Sequence, residues 1–103
     1  MVFEFDGFGF KFGLYASAIT EREAGKPIGE VIQGMGKGEI LPILQYFYGA
    51  SVAYSEFKKQ PKKDISEVSD LIEKIGLDKA INVLTESLQM PKNSVAPMVT
   101  ELN

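Results

Sequence analysis

Few side chains in this sequence are able to do acid–base, nucleophilic or metal chemistry. There is no Cys, no His and no Trp. Without thiolate or imidazole, zinc sites built on Cys or His are excluded, as are Cys/His and Ser/His nucleophile pairs and any disulfide framework. Carboxylates, Lys, Ser, Thr and Tyr remain. Glu21 with Glu23, and Asp70 with Glu73, are the pairs nearest to an acid and base or to a metal-binding couple. Each pair has a base beside it, Arg22 or Lys74, on what reads as a helix surface. Solvated charge and weak intrahelical pairing account for that arrangement. The expectation is therefore no catalytic residue, no metal and no cofactor.

Two glycine clusters invite a phosphate-binding reading and fail it. Gly34-Met35-Gly36-Lys37-Gly38 departs from the P-loop pattern, because position 31 is Val and neither Ser nor Thr follows Lys37. Gly7, Gly9 and Gly13 miss the dinucleotide fingerprint and precede no parallel strand. The lysines Lys58, Lys59, Lys62 and Lys63 form the one basic patch. Two of them fall in the last turn of a helix, where positive charge complements the dipole. No aromatic residues interleave with the other two as a single-strand platform needs, so no nucleic-acid partner is expected.

The elements that must carry these residues fit one domain of 103 residues, with 45% hydrophobic and 24% charged side chains and a net charge of −3. No apolar run approaches the ~18 residues of a membrane helix, and the first dozen residues lack the basic start of a secretory leader. A cytoplasmic protein without a membrane partner is expected.

The opening stretch, MVFEFDGFGFKFG, alternates around Asp6-Gly7, a pair suited to a two-residue type I′ turn. It predicts a hairpin in which Phe5 faces Phe8 and Phe3 faces Phe10. Phe3, Phe5, Phe8, Phe10 and Phe12 then share one face. Such a face has to be covered, so Phe5 and Phe10 are expected to be largely buried.

Helical spacing begins at Leu14. Leu14, Tyr15, Ala18 and Ile19 mark the apolar side of a first helix that ends at Gly25. Pro27 suits a first helical position, and Ile28, Val31, Ile32 and Met35 outline a short second helix that the glycine run stops. Glu39 to Lys59 is the longest candidate, apolar nearly all round and hence central. Gly49, Ala50 and Ser51 in its middle leave room for a close neighbour. Asp64 with Glu67 has capping-box spacing and starts a helix along Val68, Leu71, Ile72 and Ile75 up to Gly76. Leu77, Ile81, Leu84 and Leu88 follow on another, which Met90-Pro91 is expected to end. Asn93 to Leu102 then offers a final short helix with Val95, Met98, Val99 and Leu102 in one stripe.

The fold class is therefore mainly α (α+β): a small domain of about five helices with an N-terminal β-hairpin. The single domain, 1–103, divides into a hairpin at 1–13, helices over 14–90 and a C-terminal segment at 91–103.

The element order carries a resemblance. A strand pair ending in Phe10-Lys11-Phe12-Gly13 passes into a helix with Glu21 and Glu23, then a short helix around Ile28 to Gln33. A long hydrophobic helix follows with Tyr46-Phe47-Tyr48-Gly49-Ala50 at its centre, and then Ile65-Ser66-Glu67-Val68-Ser69-Asp70-Leu71-Ile72. Over roughly residues 3–76 this resembles the tail assembly chaperones of long-tailed bacteriophages. Where members often have Trp in the long helix, this chain has Tyr46 and Tyr48.

The resemblance implies a non-enzymatic role in the bacterial host cytoplasm: coating the apolar, helical tape measure protein and keeping it soluble until the tail tube polymerises around it. It also implies self-association, and a longer frameshifted form whose extra domain recruits the tail-tube protein, this chain being the short form. Met35, Met90 and Met98 suit an adaptable binding surface. The stripe Val95, Met98, Val99 and Leu102 is the expected partner-binding segment, since a helix this short needs something to lie on. The alternative from another class is a small phage-encoded adaptor or regulatory protein that binds a host protein.

Overall fold

The computed structural model describes residues 1–95, with side chains through residue 88. The elements run β1 (Val2–Phe5), β2 (Phe8–Lys11), α1 (Leu14–Ala24), α2 (Ile28–Gly36), α3 (Ile40–Lys58), α4 (Ile65–Ile75) and α5 (Leu77–Val95). The mainly helical class with an N-terminal hairpin is as expected.

Asp6 and Gly7 take φ of 52° and 83°, the left-handed pair that a type I′ turn demands. The antiparallel register follows from it: Val2 opposite Lys11, Phe3 opposite Phe10, Glu4 opposite Gly9 and Phe5 opposite Phe8. Phe10 and Phe12 are buried, and both meet Phe47 of α3 edge-on at ring separations of 5.2 and 5.7 Å. Phe5 corrects the expectation, being half-buried along with Phe3 and Phe8. The reason is the direction of packing. Helix α3 lies along β2 and grips both of its faces, so the aromatic face is sealed near β2's end and opens toward the turn. On the opposite face Gly9 is buried beneath the Tyr54 ring, which a methyl group at that position would overlap.

Helix α3 is the centre of the domain and packs against α1, α2, α4 and β2. Its closest neighbour is α1. A Cβ on Gly49 would overlap the Thr20 hydroxyl and crowd the Ala16 carbonyl, so the two backbones approach as only glycine permits. This crossing rotates α1 away from its expected face. Ala16, Ile19 and Thr20 are buried, whereas Leu14 and Tyr15 are 90% and 51% exposed and Ala18 faces out. At the crossing itself Gly49 meets Ala16 and Thr20, side chains small enough for so close an approach, and Ile19 is buried as expected. Thr20 satisfies its buried hydroxyl by donating to the Ala16 carbonyl at 2.7 Å.

The remaining helices are set by their ends. Pro27 stands one residue ahead of its expected place, as the extended residue before α2, and the Glu21 carboxylate accepts the Ile28 N–H at 2.8 Å. Asp64 forms the capping box of α4: its carboxylate accepts the Glu67 N–H, and the Glu67 side chain accepts the Asp64 N–H, both at 2.9 Å. Along α5 the buried residues are Ala80, Val83, Leu84 and Ser87, while Leu77 and Ile81 are more than a third exposed. Helix α5 does not end at Met90-Pro91 but continues to Val95. Proline removes one N–H and its ring crowds the carbonyl one turn back, a local cost after which the helical backbone resumes.

Gly49→Ala tests the crossing with a clear sign. Helix propensity alone would gain about 1 kcal/mol. Overpacking against backbone costs on the order of 1–3 kcal/mol, so the expected result in urea unfolding is a net loss of stability. A gain in stability would mean that α1 does not pack on Gly49.

Candidate functional site

Of the acid–base candidates only Glu21 serves a structural contact, while Glu23, Asp70 and Glu73 are exposed and form no ion pair among the described residues. Glu21 caps α2, and Lys74 of α4 pairs with Asp6 at the hairpin turn. Tyr54 donates to the Glu4 carboxylate and Tyr15 to Glu56 at 2.8 Å. Among the described residues no group of three or more acidic side chains is placed to hold a metal ion. The lysine patch divides in the same way. Lys58 stands over the Tyr54 and Phe57 rings at 5.9 Å, and Lys63 over the Phe8 ring at 5.1 Å. Lys59 is the left-handed residue closing α3. Lys79 from α5 sits 5.1 Å from the Phe5 ring, so the half-buried end of the aromatic face is covered by the stems and ammonium groups of Lys63 and Lys79. The lysine spacing in the sequence gives no hint of this, because the rings are distant along the chain.

What stands open is apolar. At one end of α3 a groove of about 210 Å³ runs between the first turns of α3, the last turn of α4 and the start of α5. Ile43 and Ile72 form its floor, Ile40, Leu44 and Leu77 its walls, and Glu73 one rim. Ile40 is 58% exposed. Leu41 beside it is 59% exposed, so α3 begins with aliphatic side chains held in water. At the other end of α3 lies a second concavity of about 280 Å³ between Leu14, Tyr15, Lys11 and Phe57, the last 60% exposed. Sequence periodicity missed both. It assigned Leu14, Ile40, Leu41, Phe57 and Leu77 to the interior with their neighbours, and only the crossing of α1 on α3 and the placement of α4 and α5 leave them outside.

Of the partner-binding residues expected from sequence, Val95 is the final residue of α5, and Met98, Val99 and Leu102 lie outside the described residues. No protein-family model, curated protein or solved structure matches the chain.

Two tyrosines report the hydrogen bonds that tie α3 to its neighbours. The bond to Glu56 is the main cause holding the Tyr15 phenol above its usual 10.0, with partial desolvation and the Glu56 charge adding to it. The bond to Glu4 does the same for Tyr54. A raised phenol pKa means stabilisation that is present below the unfolded value and lost as pH rises through the folded one. A phenolate absorbance titration should therefore show late-titrating tyrosines, with Glu56→Gln lowering Tyr15 and Glu4→Gln lowering Tyr54. Unchanged titration in both variants would separate these carboxylates from the phenols.

Proposed function

We propose that the protein holds an apolar helical client in solution, in the manner of the phage tail assembly chaperones it resembles, with the tape measure protein as that client. The observation that carries this reading is the run of exposed aliphatic side chains at the start of α3 and its junction with α4 and α5, where Ile40, Leu41 and Leu77 stand in water around an apolar groove. Exposing large apolar side chains next to a concave floor is costly for a domain with no use for them, and useful for one that binds apolar helices. In this reading the tail-tube protein is recruited by a longer frameshifted form, and the site of action is the host cytoplasm.

The sequence stripe Val95, Met98, Val99 and Leu102 is part of the proposed client-binding segment. Co-expression with a helical tape measure fragment tests the proposal. The full chain should move the fragment from pellet to supernatant. Removing residues 92–103 should weaken this while the remaining domain keeps its helical circular dichroism. A fragment left insoluble by the full chain would contradict the chaperone role, and undiminished rescue by the shortened chain would contradict the role of the segment.

Self-association, also implied by the resemblance, has a route through the outer edge of β1. Met1 and Phe12 exchange both backbone hydrogen bonds, so the alternating ladder turns the N–H and C=O of Val2 outward on β1. That edge is free to pair with a second copy. Sedimentation should show oligomers that grow with concentration and weaken in Val2→Pro, which removes an outward N–H without touching the hairpin ladder. Monomer alone at high concentration would remove the route.

A further inference from the structure

Charge distinguishes what the groove between α3, α4 and α5 can accept. Its lining has one charged side chain, Glu73, and that side chain forms no ion pair among the described residues. The adjacent base, Lys74, is turned to Asp6 at the hairpin. Asp70 and Asp78 stand exposed close by in sequence. Any apolar group that fills the groove also strips water from the Glu73 carboxylate. The cost falls if the incoming partner supplies a cation there, and rises if it brings an acid.

The shape sets the rest. At about 210 Å³ the groove is smaller than the roughly 300 Å³ at which small-molecule sites begin, and it suits one or two aliphatic side chains. Ile40 and Leu44 stand one turn apart on α3, with Ile72 and Leu77 lining the same groove from α4 and α5. A further helix lies naturally in such a cleft, its own side chains one turn apart entering between those of α3. The chain's own residues 96–103 are poor occupants, because their only charged side chain is Glu101.

We propose that this groove binds a basic amphipathic helix, one that inserts two aliphatic side chains spaced one turn apart and sets a lysine or arginine against Glu73. The inference rests on the client-holding reading and gives it a chemical selectivity: of several apolar helices, those with a basic flank are held at this end of α3.

Two synthetic fluorescein-labelled helical peptides test it with the full chain. They share a leucine stripe and differ only in carrying lysine or glutamate beside it. In fluorescence anisotropy at low salt the lysine peptide should bind about tenfold more tightly, with the advantage shrinking as salt is raised. Glu73→Lys should reverse the preference. Ile40→Ser and Leu77→Ser, both at exposed positions, should weaken the lysine peptide while circular dichroism shows the fold intact. Equal affinity for the two peptides, or lysine-peptide binding indifferent to Ile40→Ser and Leu77→Ser, would overturn the proposal. A protein that rescues a tape measure fragment but shows no lysine preference overturns this inference alone. One that binds the lysine peptide at the groove but rescues no fragment overturns the chaperone reading alone.

Discussion

A helix of 19 residues that is apolar on nearly every side cannot be left in water, and covering α3 dictates where everything else goes. Each neighbour takes a different strip. Helix α1 takes the small-residue strip at Gly49, β2 the aromatic strip from Phe47 to Tyr54, and α2 and α4 take further faces. The hairpin has no stability of its own to speak of, and acquires it by laying Phe10 and Phe12 against Phe47 and closing Gly9 under Tyr54. Polar tethers then fix the periphery: Asp6 to Lys74, Glu4 to Tyr54 and Glu56 to Tyr15 each join elements that are far apart in sequence.

Local chemistry was legible in the sequence where local chemistry decides. The Asp6-Gly7 turn fixed the hairpin register, and the Asp64–Glu67 box fixed the start of α4, because both depend on a few consecutive residues. Which face of a helix turns inward depends on its neighbour. For α1, periodicity favoured Leu14, Tyr15, Ala18 and Ile19; Ile19 is buried, but the approach to Gly49 turns Ala16 and Thr20 inward and leaves Leu14, Tyr15 and Ala18 outside. For α5, the inward residues include Ser87, which no hydrophobic count would select. The half-buried state of Phe5 has the same origin, since its cover is partly a lysine stem from α5.

In the proposed reading these displaced apolar residues carry the function. Had Leu14, Leu77 and Ile40 packed inward, the domain would offer a partner mostly charge. Instead the close crossing on α3 and the α4–α5 junction leave apolar concavities at both ends of one helix, bordered by Glu73 at one and Lys11 at the other. The proposed binding surface is thus a by-product of how the core is covered. This explains why the sequence motifs, taken singly, point to no site: the relevant residues come from α1, α3, α4 and α5 and share no spacing.

The account stands or falls on α3 as the common support. Native-state hydrogen exchange resolved by residue measures this directly, since amides that exchange only on global unfolding mark the element on which the others depend. The slowest amides are predicted in the middle of α3, from Phe47 to Tyr54, with those of α1 facing Gly49 close behind. The inner ladder of the hairpin should be protected through α3, and α5 should open at lower free energy. An α3 that exchanges faster than α4 and α5, or a hairpin that exchanges freely while α3 stays closed, would contradict it.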